Sequence, residues 1–254
     1  SKYANKFNKI RKYIIKTDTP TNKNIFKKII SFIVIFFSVI RSIFILRKEK
    51  PDLVFGLGGY VSFPISFASK ILGIPLVIYE NNLIIGRTNK RLLPFAKKIL
   101  FSTKIFENFP KKYEKKAFYV GNILREEIIN YKAIEDAGNK KVFSILILGG
   151  SQGAEIFGKV VPPVIKMIKD KGHEIEIYQQ CIIDQKETLI KFYNTNKIKN
   201  TVFDFHENIL DLISLSNLVV SRCGASTTAE LVQTLTPFIG IPYPFSVDNH
   251  QHLN

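Results

Sequence analysis

From Pro51 onward, short runs made almost wholly of apolar residues alternate with stretches of helical spacing, and the alternation occurs twice. In the first series Leu53 to Gly56, Leu76 to Tyr79, Ile99 to Phe101 and Phe118 to Val120 read as strands. Helices are predicted between them over Phe63 to Leu72 and Lys90 to Ala96. A charged, weakly patterned stretch from Glu126 to Lys141 breaks the pattern. It restarts with strands at Phe143 to Leu148, Ile175 to Gln179, Val202 to Phe205, Leu218 to Ser221 and Phe238 to Ile241. Helices fall at Ile156 to Lys169 (interrupted at Pro162 and Pro163), Asp184 to Tyr193, Ile209 to Leu215 and Thr227 to Leu235. Strands this continuous in apolar residues suit a parallel sheet covered on both faces. The expectation is α/β: two doubly wound, Rossmann-like domains, residues 1–134 and 135–254, with a cleft between them. Ligands are expected beyond the carboxyl ends of the strands.

The two halves differ in charge. Residues 1–132 hold 26 Lys and Arg against 8 Asp and Glu, a net of +18; residues 133–254 hold 11 against 13, a net of −2. A genome-wide bias toward Lys would act on both halves, so the asymmetry points to a polyanion partner for the first. No nucleic-acid reader motif is present, so the partner is read as an anionic membrane surface and not nucleic acid. The stretch Ile29 to Ile40 is apolar nearly all round a helix before Arg41 interrupts. Twelve residues give about 18 Å, short of a hydrocarbon core of about 30 Å, so the helix is expected to lie on the leaflet. Ile29, Ile33, Phe36 and Phe37 would form its membrane face, with Lys27, Lys28 and Arg41 at the rim. The alternative is an ordinary buried core helix. Two cysteines, Cys181 and Cys223, exclude a disulfide scaffold.

Four loops carry chemistry. Gly149-Gly-Ser-Gln-Gly-Ala154 joins an apolar strand to a helix, where backbone N–H groups and the helix dipole favour a phosphate. The same residues match a nucleophile elbow, in which Ser151 would attack an ester with Asp204 or Asp211 and His250 or His252 as partners. Gly56-Leu-Gly-Gly-Tyr60 is a second strand-to-helix glycine turn, and one such loop per domain favours two phosphorylated substrates. Cys223-Gly-Ala-Ser-Thr-Thr-Ala-Glu230 lets a ligand approach a helix start, with Glu230 placed to accept both hydroxyls of a ribose. Asp248 to Asn254 gathers amide and imidazole groups suited to sugar hydroxyls, and no metal site is expected there.

Taken together, Pro51 to Ser62, Gly73-Ile-Pro75, Glu80-Asn-Asn82, Thr88-Asn-Lys90, Val120-Gly-Asn122, Arg125, Gly149 to Ala154 and Ser221 to Glu230 stand in a known order and spacing. From about residue 25 to 254 the chain resembles the MurG family, inverting transferases of GT-B fold that convert lipid I to lipid II in peptidoglycan synthesis. The resemblance implies UDP-N-acetylglucosamine as donor and a polyprenyl-diphosphate-linked acceptor, lipid I. It also implies a peripheral location on the cytoplasmic face of the bacterial inner membrane, and no cofactor. Residue by residue, Gly149 to Ala154, with Gln152 and Gly153 among them, would hold the UDP diphosphate, Ser151 donating to it. Arg125 and the main chain of His206 would face the nucleotide, and Glu230 the ribose. Around them would stand Ser226, Thr227, Thr228 and Ala229. Asn82, Ala225 and Gln251 would contact the N-acetylglucosamine, with His250 beside them. Gly58, Gly59 and Tyr60 would cradle the acceptor diphosphate.

The sequence departs from the family in places. The family opens with a glycine-rich loop ending in a His that is a candidate base. This chain has no such loop, so no catalytic base is assigned. The chain is expected to be a fragment lacking both ends and inactive alone. Tyr79 replaces a common His and Ile123 a common Pro, and Leu83 to Ile85 is bulkier than usual. Another lipid-directed GT-B transferase, or a membrane-docking module with a degenerate nucleotide site, are the other readings.

Overall fold

The computed structural model describes residues 10–20, 24–104, 109–131, 142–150, 155–244, 246 and 250–254. The chain divides into two compact units, Ser1–Gly121 and Asn122–Asn254. The charged stretch from Glu126 to Lys141 predicts a division at 134/135. The difference is a short helix, α4, which belongs to the second unit because it packs on a helix there.

In the first unit α1 (Ile25–Glu49) precedes β1 (Val54–Gly56), α2 (Phe63–Ile71), β2 (Leu76–Glu80), α3 (Arg87–Leu92), β3 (Lys98–Phe101) and β4 (Ala117–Tyr119). The four strands are parallel and lie in chain order, β1-β2-β3-β4. Ile78, Leu92, Ile99 and Phe101 are fully enclosed, and α1 contributes Val39 and Leu46 to the same core.

The first helix differs from expectation in length. Asn24 caps it, its Oδ1 accepting from Phe26 N–H at 2.9 Å, and Lys50 ends it in the left-handed region. At 25 residues it is about 37 Å long. By length and composition alone it is able to cross a membrane, so the argument that it is too short fails. What holds it to the unit is packing. It runs against α2. Its buried serines, Ser31, Ser38 and Ser42, return their hydroxyls to backbone carbonyls one turn back. Residues 10–20 contribute too: Asp18 accepts from Ser31, the carbonyl of Lys16 from Ser38, and Arg11 donates to Glu49.

The second unit contains α4 (Glu126–Ile129), β5 (Phe143–Leu148), α5 (Glu155–Asp170), β6 (Ile175–Gln180), α6 (Lys186–Thr195), β7 (Lys199–Phe203), α7 (Ile209–Leu215), β8 (Leu218–Ser221), α8 (Ala225–Gln233), β9 (Phe238–Gly240) and α9 (His250–Leu253). Its five parallel strands lie in the order β7-β6-β5-β8-β9. One core joins Phe157, Val161 and Ile165 of α5 and Leu189 and Tyr193 of α6 to Ile145, Ile147 and Ile177. The other joins Leu212 and Ile213 of α7 and Leu231 of α8 to Leu146, Leu148 and Val219. Alternate residues of β5 thus feed opposite faces, which is the doubly wound arrangement. Helix α5 is continuous through Pro162 and Pro163, where the sequence predicted an interruption.

Candidate functional site: the crevice between β5 and β8

Strand order in the second unit reverses between β5 and β8: chain order runs outward through β6 and β7 on one side and through β9 on the other. The loops leaving β5 and β8 therefore diverge, opening a crevice at their carboxyl ends. After β5, the Gly149 N–H donates to Gln180 Oε1 at 3.1 Å. Gly150 then takes φ +83°, a conformation that favours glycine. Ser151, Gln152 and Gly153 lie outside the described residues.

After β8, Gly224 is the extended N-cap residue of α8 and offers no side chain to the first turn. Thr228 closes that turn, its N–H and Oγ1 both donating to Gly224 O at 2.9 Å. The start of α8 presents the positive end of the helix dipole. Glu230 follows Ala229 in the second turn, 21% exposed, and faces Arg125 at the start of α4. Arg125 Nη2 lies 3.4 Å from Glu230 Oε1, and Nη1 lies 3.6 Å from Glu127. Burial pushes the Glu230 carboxyl above its ordinary value; Arg125 pulls it back and Glu127 adds to the rise. Structurally, then, Arg125, Glu230 and the start of α8 form one cluster, with the Gly149 turn on the neighbouring strand. A carboxylate in that position can accept two vicinal hydroxyls, and a guanidinium can bind a phosphate.

His206 follows β7, its ring edge-on to Phe203 with centroids 5.6 Å apart and its Nδ1 buried without a partner among the described residues. Gln251, in α9, accepts from the Tyr243 N–H at 2.8 Å, with His250 beside it in the chain. Sequence reading missed Arg222, which directly follows β8 and ties this segment down. The signal was one large cation in an otherwise small-residue run, Ser221 to Ala225. It missed Gln180 as well.

In the first unit, Gly58 and Gly59 have φ of +80° and +70° in the loop after β1, followed by exposed Tyr60. A Cβ on Gly58 would sit 3.0 Å from Asn89 Nδ2, so glycine is required there on conformation and on space. Asn82 is held by buried Glu80, whose Oε1 accepts from the Asn82 N–H and Nδ2 at 3.1 and 3.0 Å. Its Oε2 accepts from Gly86 N–H at 2.8 Å and Asn89 Nδ2 at 3.0 Å. On α1, Ile29, Ile33, Phe36 and Phe37 are 52%, 50%, 62% and 63% exposed, so this face of the helix is not core. Both cysteines are buried free thiols, and no group of three or more metal-ligating side chains occurs among the described residues.

Residues 144–254 match the glycosyltransferase family 28 C-terminal domain, and residues 2–101 match the family 28 N-terminal domain. A Pelagibacter ubique protein is 35% identical over 237 residues, 92% of this chain and 65% of that protein. A Rickettsia bellii relative is 33% identical over 246 residues, 95% of this chain and 68% of its own length. Both are named UDP-N-acetylglucosamine--N-acetylmuramyl-(pentapeptide) pyrophosphoryl-undecaprenol N-acetylglucosamine transferase. The crystal structure of Acinetobacter baumannii MurG superposes with a TM-score of 0.64 at 27% identity, covering 93% of this chain and 64% of that one. A UDP co-structure of S. aureus MnaA shares the fold, with a TM-score of 0.57 at 12% identity, covering 88% and 62%. The chain spans 62–65% of the length of the first curated relatives it matches. Two parallel-sheet α/β units of this kind define the GT-B class of glycosyltransferase fold. The chain belongs to glycosyltransferase family 28.

Proposed function

We propose that the second unit binds UDP-N-acetylglucosamine and that the protein transfers its sugar to the muramyl 4-hydroxyl of lipid I, a polyprenyl-diphosphate-linked acceptor, giving lipid II. The observation that carries this reading is the Arg125–Glu230 cluster beside the β5/β8 crevice, within a stretch matching the family's C-terminal domain. Glu230 accepts the ribose hydroxyls, Arg125 and the start of α8 face the diphosphate with Ser151 to Gly153, and the His206 main chain meets the base. Ala225 and Gln251 read the sugar. As the acceptor hydroxyl attacks the anomeric carbon and UDP departs, charge grows on the diphosphate, and fixed donors aimed at it stabilise the transition state. In the first unit the Gly58–Tyr60 turn receives the acceptor diphosphate, and the apolar face of α1 rests on the anionic inner leaflet of the cytoplasmic membrane.

Calorimetry on the chain tests the donor assignment: UDP and UDP-N-acetylglucosamine should both give binding heat. Glu230→Ala should weaken UDP by about 1–3 kcal/mol, the scale of hydroxyls or their partner left unpaired. Folded protein that binds no UDP would sink the reading. Ser151 is here a hydrogen-bond donor and not a nucleophile, so a fluorophosphonate probe should leave it unlabelled. Labelling abolished by Ser151→Ala would favour the hydrolase instead.

A further inference from the structure

Arg222 has no part in the donor reading above, yet it sits between two elements of the site. Its Nη1 donates to the carbonyls of Ile241 and Pro242, at 3.3 and 2.9 Å, just beyond β9. Its guanidinium lies over the ring of Phe157 on α5, 4.9 Å from the centroid, and over that of Tyr243, 5.4 Å from the centroid. Phe157 is fully buried, so the stack rests on core. The segment beyond β9 has further ties to the end of β8. Ile241 N–H donates to Ser221 O at 2.8 Å, and Asn254 Nδ2 donates to Cys223 O at 3.2 Å. Between these ties, the Tyr243 N–H donates to Gln251 Oε1 at 2.8 Å.

That last bond settles which end of the Gln251 amide is which, because a backbone N–H can face only the oxygen. With Oε1 committed, Gln251 has a donor, Nε2–H, to offer a ligand. We propose that Arg222 is a positioning residue for sugar recognition: by clamping Ile241 to Tyr243 it holds Gln251 with Nε2 toward the ligand's oxygens. Arginine suits the task because one planar group can stack on two rings while its edge donates to carbonyls, which an ammonium cannot do. The inference rests on the reading that Gln251 meets the donor sugar.

The test is the affinity of UDP-N-acetylglucosamine relative to UDP, measured by calorimetry on the whole chain, since the ratio isolates the sugar. Gln251→Ala should weaken the sugar nucleotide relative to UDP about fivefold, the worth of one hydrogen bond. Arg222→Lys should shift the ratio by a similar factor, and the double substitution by no more than the larger single effect. UDP affinity itself should stay within about twofold of wild type, below the worth of one bond. A purely structural Arg222 would lower the Tm and leave the ratio untouched. That outcome, or single effects that multiply in the double variant, overturns the proposal. If Arg222→Lys does not fold, Tyr243→Leu removes one face of the stack and gives the same comparison. Wild-type protein that binds no UDP defeats the donor reading. A ratio insensitive to Gln251→Ala defeats the role of Gln251, and this inference with it.

Discussion

Glu230 carries a conflict that pH exposes. Burial favours its neutral form, whereas the proposed ribose contact needs the carboxylate as a double acceptor. Two opposite slopes follow. The folded chain holds this proton more tightly than the unfolded one, so the residue's contribution to stability declines as pH rises from the ordinary glutamate value through the raised one. If Glu230 holds UDP as proposed, its contribution to binding declines as pH falls through that same raised value. UDP affinity should therefore begin to drop at a higher pH than an unperturbed glutamate would allow. Titrating binding from about pH 7.5 down to 5 checks this against ordinary carboxylates near 4.3. Glu230→Gln keeps the shape and removes the titration, so its profile should be flatter than wild type. Identical profiles for the two would remove Glu230 from the site. The residue was legible in the sequence because it follows a run of small polar residues at a helix start. Its partnership with Arg125 was not, since 105 positions separate them in the chain.

At the scale of elements, Glu80 fastens β2 to the loop and helix after it. Its carboxylate is nearly inaccessible, and both oxygens are filled by N–H donors from Asn82, Gly86 and Asn89. Glu80→Gln preserves the volume but offers a single acceptor oxygen, leaving donors to face donors. It should lower stability by about 2–4 kcal/mol, the scale of losing charge-assisted bonds in a buried place. Thermal denaturation measures this, and an unchanged Tm would mean that the loop is held by other means. Strands such as β2 and β5 were legible in the sequence because their runs are apolar on both faces, whereas β7 starts three residues earlier than expected, in the polar run Lys199 to Thr201. Hubs such as Glu80 and clamps such as Arg222 were not, because a polar residue in a motif does not say which backbone groups will surround it. The length of α1 is not legible in the sequence for a related reason. Arg41 looked like an end, but an exposed arginine costs a helix little, and the helix continues to Glu49. The proline pair in α5, which predicts a break, is accommodated inside the helix.

For the whole molecule, charge is divided along the same line as the fold. Residues 1–121 hold 24 Lys and Arg against 6 Asp and Glu, a net of +18, while residues 122–254 hold 13 against 15, a net of −2. The basic unit is also the one that exposes Ile29, Ile33, Phe36 and Phe37. If α1 crossed a bilayer, it would give up its packing through Val39 and Leu46, and Arg41 would enter the hydrocarbon. If it lies on the surface, it keeps that packing and buries only its exposed face. The two forces in the second arrangement respond differently to salt. Attraction worth about 1 kcal/mol per basic residue near an anionic leaflet fades beyond a Debye length of about 8 Å. Apolar insertion, at about 25 cal/mol per Å², does not. Cosedimentation with vesicles should therefore require anionic lipid and weaken with added salt without vanishing. Replacing Ile33 by Ser together with Phe36 by Asn should remove the salt-resistant part and leave UDP affinity unchanged. Equal binding to neutral and anionic vesicles would refute the electrostatic part, no binding to either would refute surface attachment, and loss of folding in the double variant would return this face of α1 to the core.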